Sequence, residues 1–185
     1  MTVTRVILSV AAVAVIFAVG LRWWWQTRLE QAAEKPILVA ARRYGIDPAL
    51  VKAVVWKESR FHPDARGSVG ELGLMQLRQD AAREWAAAEH VAGFAHEHCL
   101  DPGTNTLAGT WYLRKVLQRY AQADDPLTFA LADYNAGRGN VLKWLNGAAP
   151  TNSTAFLQLI GFPMTKEYVT AVLGRYAEYR AERGL

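Results

Sequence analysis

The chain has 185 residues, enough for one ordinary domain with a sizeable core and an appendage. It is 51% apolar and 21% charged, which excludes a disordered or low-complexity chain. The net charge is only +4, and Arg5, Arg22, Arg28 and Lys35 against Glu30 and Glu34 supply half of it, so the remainder is nearly balanced, which argues against nucleic acid as the main partner.

Val6 to Leu21 carries no charge and is nearly all apolar. Arg5 precedes this run, and Arg22-Trp23-Trp24-Trp25 follows it. With the tryptophans as an interfacial belt, the stretch reaches about twenty residues, enough to cross a bilayer. Residues 1–25 are therefore expected to form an uncleaved transmembrane anchor. A cleaved signal peptide is the competing reading, because Ala18-Val19-Gly20 offers a small-x-small site. Taken alone, the excess of Arg22 and Arg28 over Arg5 would keep the domain in the cytoplasm.

Residues 26–35 read as a polar stem, and 36–185 as the folded domain. Pro36 opens a short helix that stops before Gly45. Asp47 and Pro48 are a good N-cap and first helical residue for a second helix ending near Ser59. Pro63, Gly67, Gly70 and Gly73 mark residues 60–74 as an irregular, glycine-rich loop with room for a small hairpin. Helices follow over about Gln79 to His90, Thr104 to Gln122, and Asp125-Pro126 to Asn135. Gly137-Arg138-Gly139 interrupts, a helix runs on to Leu145, a short one follows 151–154, and Thr165 to Glu182 closes the chain. The expected body is mainly α, with function carried on loops.

In the second helix Leu50, Val51, Val54 and Val55 recur at helical spacing. Glu58 lies four residues after Val54 and three after Val55, so it shares their apolar face. A carboxyl removed from water tends to keep its proton, which is what a general acid needs near neutral pH. The ordinary alternative is that Glu58 escapes to solvent at the helix end.

Glu58-Ser59, the run Gly70-Glu71-Leu72-Gly73-Leu74-Met75-Gln76, Asn105 with Gly109 and Tyr112, and Ala132-Asp133-Tyr134-Asn135-Ala136-Gly137 with Tyr168 stand out together. This set resembles the catalytic domain of the soluble lytic transglycosylase family, with its goose-lysozyme-like helical fold, over roughly residues 36–180. The resemblance implies cleavage of the bond between N-acetylmuramic acid and N-acetylglucosamine in peptidoglycan, leaving a 1,6-anhydromuramic end, without metal or cofactor. It makes Glu58 the single acid, then base. It implies that Tyr134 and Asn135 line the cleft at the N-acetyl group, that Met75 and Gln76 line the glycan groove, and that Tyr168 closes one side. Ser59 either touches substrate or fixes the helix end. Tyr134 could equally be an ordinary core tyrosine, and Gln76 a loop-bracing amide.

The sequence departs from the family pattern at several points. Gly67 stands where the family usually has Ser, Glu71 where it has Ala, Gln79 where it has Pro, and Asp133 where Ala is common. Glu71 and Asp133 are thus candidate second carboxylates, which would make the protein a hydrolysing muramidase; the plainer account pairs them with Arg66, Arg78 or Arg138. A catalytically inactive peptidoglycan-binding module is the rival from another class. His90, His96, His98 and Cys99 do not match a zinc spacing and read as a polar loop. By the resemblance, the domain faces the periplasm or cell wall, where the substrate lies.

Overall fold

The structure, a computed structural model, describes the backbone of residues 3–182 and 184 and the side chains of residues 12–182 and 184. Eight α-helices are found among them: α1 Val3–Tyr44, α2 Pro48–Ser59, α3 Gln79–Ala88, α4 Pro102–Arg119, α5 Pro126–Ala136, α6 Arg138–Leu145, α7 Ser153–Leu159 and α8 Pro163–Glu182. A 3₁₀ turn, His96–Leu100, leads into α4. The loop of residues 60–78 holds two isolated β-bridges, Arg66 with Leu72 and Leu72 with Leu77. The fold is mainly helical.

Three helices start on the same chemistry. Asp47, Asp101 and Asp125 each accept a backbone N–H two or three residues on, and each is followed by proline at the first helical position. Proline has no N–H to leave unpaired there, and the aspartate satisfies one that would be. Asp101-Pro102 therefore starts α4 two residues before the position expected from apolar spacing.

The expected break at Pro36 is absent: Pro36 lies inside α1. An internal proline costs a helix roughly 3 kcal/mol. Ala33, Ile37, Ala40, Ala41 and Tyr44 of that helix are buried and pack largely against α4, and their burial outweighs the cost. The segment expected as a stem is thus helical and docked. Leu29 packs on the core, and Glu30 and Glu34 reach Lys52 of α2 at 2.8 and 3.4 Å. Gly45 then ends α1 in the left-handed region, at φ 65°.

The upstream part of α1 is different. Val13, Val15, Ile16, Phe17, Val19, Leu21 and the three tryptophans at 23–25 are all exposed. Among the described residues no helix is long and apolar enough to cross a membrane. The first half of the expected anchor, up to residue 11, lies outside the residues whose side chains are described.

The core is built around α2 and α5. Ala49, Leu50, Val51, Ala53, Val54 and Val55 of α2 are buried, as are Phe129, Ala130, Leu131 and Ala132 of α5. Both helices pack against α8. Their C-terminal ends, with the loop of residues 60–78, surround the chemistry described next.

Candidate active site

Glu58 sits in the last turn of α2, its residue half-buried and its carboxyl enclosed by protein. The phenol of Tyr168, from α8, donates to Glu58 Oε1 at 2.7 Å. Burial pushes the Glu58 pKa up from an ordinary 4.5 to about 7. The Tyr168 hydrogen bond and Lys57 pull it down, and the charge of Glu71 pushes it up. Lys57 is itself engaged by Glu167 of α8 at 2.8 Å, so an ion pair ties the two helices beside the acid. Burial and the Glu58 charge raise the pKa of both Tyr168 and Tyr134 far above the phenol range, so both remain protonated donors.

The residues 72–76 form a tight knot under the cleft. Asn105, fully buried on α4, accepts from the Met75 N–H at 2.8 Å and donates to the carbonyls of Leu72 and Cys99 at 2.8 and 2.7 Å. Gly73 has φ 73°, and a Cβ there would overlap the Cys99 carbonyl and the Asn105 amide, so glycine is required twice over. Ser59 belongs to the same knot. It is buried, with its hydroxyl 2.8 Å from the Leu74 carbonyl and 3.2 Å from that of Val55. It fixes the end of α2 to the loop and is not presented to a ligand.

Met75 also differs from expectation. Its side chain is fully buried against Gly109 of α4, where any Cβ would overlap its sulfur. Only its backbone carbonyl serves the site, accepting from the Tyr134 hydroxyl at 3.0 Å. Gln76 adopts the left-handed region, φ 46°, and its Nε2 donates to the carbonyls of Gly73 and Ala65 at 2.8 and 3.2 Å. Its amide braces the loop while the residue lines the cleft.

That cleft has a volume of about 180 Å³ and is lined by Gln76, Leu77, Arg78, Tyr112, Tyr134 and Asn135, with Gly137 at its end. Glu58 is not part of its wall, but Tyr134, which lines it, feels the charge of Glu58. Tyr112 packs on Tyr134 with ring centroids 5.6 Å apart. Thr165 donates to Asn135 Oδ1 at 2.7 Å, and Asn135 is exposed at the cleft. Thr165 and Tyr112 were not singled out for a role by sequence; Tyr112 lies one turn after Gly109, and that spacing was the available signal.

The two candidate second carboxylates part company. Asp133 is fully buried, and its Oδ2 accepts from Arg119 and from the Tyr120 hydroxyl, so its partner is none of the arginines expected. It clamps α5 to α4 and is withheld from any ligand. Glu71 stays half-exposed and takes the Val69 N–H at 3.1 Å. Its Oε2 occupies the space that a side chain at Gly67 would need. The two departures at 67 and 71 are therefore one change: the carboxylate of Glu71 fills the room left by Gly67.

At the 3₁₀ turn, His96 Nε2 lies 2.9 Å from the Leu77 carbonyl and His98 Nδ1 accepts the Ala95 N–H. Among the described residues no three His, Cys, Asp or Glu side chains are grouped to hold a metal.

The family described as "Transglycosylase SLT domain" matches residues 35–156. The chain belongs to this family. It is 35% identical to the soluble lytic murein transglycosylase of Escherichia coli K12 over 137 residues, 73% of this chain and 21% of that protein. It is 38% identical to a membrane-bound lytic murein transglycosylase F of Desulfosudis oleivorans over 105 residues, 55% of this chain and 21% of the relative. The chain thus spans about a fifth of these relatives. Among solved structures, the 70 kDa soluble lytic transglycosylase of Escherichia coli superposes with a TM-score of 0.73 at 32% identity, covering 81% of this chain and 24% of that one. The lytic transglycosylase Slt of Pseudomonas aeruginosa, solved as an inactive Glu-to-Gln mutant, gives 0.73 at 27% identity over the same shares. The SLT domain here is a lysozyme-like helical body whose relatives include both soluble and membrane-bound enzymes.

Proposed function

We propose that this SLT domain is a peptidoglycan lytic transglycosylase in which Glu58 works alone as acid and then base. The observation that carries the reading is the enclosed carboxyl of Glu58, with a pKa about 7 and a phenol donor at 2.7 Å. Protonated Glu58 gives its proton to the glycosidic oxygen as the bond from C1 of the muramic sugar breaks. The substrate's own N-acetyl oxygen takes up the bond at C1, so no second protein carboxylate is needed. The sugar's C6 hydroxyl then displaces that oxygen and gives its proton to Glu58. The anhydro ring is closed and the acid is restored without consuming water. A group that must give and then take a proton works best with a pKa near the working pH.

Tyr134 and the exposed Asn135 support a role in holding the N-acetyl group, and Gln76 and Arg78 a role along the glycan strand. The substrate lies outside the cytoplasmic membrane, so the domain works in the periplasm or at the wall. The apolar run from Val6 to Leu21, continued by exposed Trp23–Trp25, supports a single N-terminal anchor. Finding the mature chain without these residues would replace the anchor with a cleaved leader.

Glu71, close enough to raise the Glu58 pKa, favours a second reading in which it activates water. One experiment separates the readings. The full chain and its Glu58→Gln variant are incubated with purified peptidoglycan, and the released fragments are weighed. Fragments one water lighter than reducing muropeptides, absent with the variant, support the transglycosylase. Ordinary reducing ends make the protein a muramidase. Binding without release makes it a wall-binding module.

A further inference from the structure

Trp56 lies two residues before Glu58 and so faces the other side of α2. There, α1 and the domain enclose a second cleft, of about 460 Å³. The Trp56 ring carries two guanidinium groups, Arg60 at 3.7 Å and Arg175 at 4.3 Å from its centroid. Arg22 of α1 lines the same cleft. Arg60 has no carboxylate partner among the described residues, and its pKa is lowered by burial and by the neighbouring charge of Arg175. Its backbone is left-handed, φ 52°, which non-glycine residues adopt rarely, and Gln26 of α1 donates to its carbonyl at 3.0 Å. The helix that carries the apolar run therefore also helps to hold this arginine in place.

The acids nearby do not cancel these charges. Glu30 is engaged by Lys52 at 2.8 Å, and the contact of Arg175 with Glu178 is a surface pair of little worth. Glu182 is the remaining acid in the cleft wall. The rim on the α1 side is apolar, with Val19 62% and Trp23 71% exposed, and it continues into exposed Phe17 and Ile16. Planar guanidinium groups match phosphate oxygens, and an apolar wall beside them matches the start of an acyl chain.

We propose that this cleft binds the headgroup phosphate of an anionic phospholipid, with Arg22, Arg60 and Arg175 around the phosphate and Val19 and Trp23 against the first acyl carbons. The inference rests on the membrane reading of α1 and not on the chemistry of Glu58. Such a contact sets the height and rotation of the domain above the lipid surface, and with them the direction in which the Glu58 cleft faces.

The test uses the full chain in neutral detergent micelles, titrated separately with phosphatidylglycerol, phosphatidylcholine and inorganic phosphate. Tryptophan fluorescence reads binding, and no turnover is involved, so a failure of the enzyme reading leaves the result intact. Phosphatidylglycerol is expected to bind at least tenfold tighter than phosphatidylcholine. Arg22→Gln with Arg175→Gln should weaken it by about tenfold to thirtyfold, at about 1 kcal/mol for each basic residue near an anionic surface. Arg42→Gln with Arg114→Gln removes the same charge outside the cleft and should leave binding unchanged. Far-ultraviolet circular dichroism and an unchanged melting temperature show that both double variants are folded. Equal binding of the two lipids, or equal weakening by both variant pairs, overturns the proposal. So does equally tight binding of inorganic phosphate, which would make the cleft a free-anion site.

Discussion

Tyr168 and Glu58 are 110 residues apart in sequence and 2.7 Å apart in space, with the phenol donating to the carboxyl. The hydrogen bond works against burial. Burial favours the protonated acid, while a donor to its oxygen favours the carboxylate. The balance leaves the pKa at about 7, which suits the proposed use of one group in both half-reactions.

Activity should therefore fall as pH rises through about 7, because the first step needs the proton on Glu58. Tyr168→Phe removes the donor that favours the charged form, so the Glu58 pKa rises. A hydrogen bond to a charged group is worth about 1.5–3 kcal/mol, so the alkaline limb should move up by about one pH unit or more. Maximal turnover should drop as well, since the carboxyl loses its orienting partner. A pH profile of kcat/KM for both proteins decides this; an unmoved limb would mean that the phenol does not govern the acid.

The raised pKa also has a cost in stability. The folded protein holds the Glu58 proton up to about pH 7, whereas the unfolded chain releases it near 4.5. Between those values the unfolded state binds fewer protons, so stability falls as pH rises and levels off above about pH 7. The loss over that window is about 3 kcal/mol. Glu58→Gln carries no such penalty, and its amide oxygen can still accept from Tyr168. The variant should gain on the parent by up to about 3 kcal/mol between pH 4 and pH 8, and be inactive throughout. Urea unfolding at the two pH values measures the difference.

Glu58 was legible because its place on the buried face of α2 is set by local spacing after Val54 and Val55. The helix starts at Asp47 and Asp125 were legible for the same reason: a cap and a proline act within one turn. What was missed depends on contacts between distant segments. Whether α1 breaks at Pro36 is decided by the burial of Ile37 and Ala41 against α4, not by the proline. Met75 was expected in the groove, yet the space left by Gly109, 34 positions later, takes its side chain inside. Asp133 was read as a second carboxylate or as a partner of Arg66, Arg78 or Arg138, but the end of α4 brings Arg119 and Tyr120 to it instead. The pairing of Gly67 with Glu71 was visible as two departures but not as one exchange of volume, because loop geometry alone joins them.

That exchange can be tested. The charge of Glu71 raises the Glu58 pKa, so Glu71→Gln should lower it and move the alkaline limb of activity to more acid pH, with anhydro products retained. Gly67→Ala places a methyl group where Glu71 Oε2 now lies and 2.9 Å from Gln76 Oε1, so the ends of both side chains must shift. The long side chains can swing away, so the fold should survive and the limb should move in the same direction. Combining the two substitutions should add little, since each removes the same carboxylate from the same place. Loss of all product with Glu71→Gln, with the fold intact, would instead give Glu71 a direct part in the chemistry.

Asn105 provides a test of how the cleft is held. It makes three buried hydrogen bonds to the backbone, to Leu72, Met75 and Cys99, and touches no part of the cleft wall. Asn105→Ala strands the Met75 N–H and the Cys99 carbonyl away from water, while the Leu72 carbonyl keeps the Leu77 N–H. Each such group costs about 1–3 kcal/mol, so the variant should lose on the order of 4 kcal/mol if the loop holds its shape. If the loop relaxes instead, the loss is smaller but the Met75 carbonyl moves, and the Tyr134 hydroxyl loses its acceptor. Hydrogen exchange at the amides of residues 72–76 separates the outcomes. Exchange that quickens only with global unfolding marks the first, and local exchange with reduced turnover marks the second. An unchanged melting point together with unchanged exchange would show that the knot does not hold the loop.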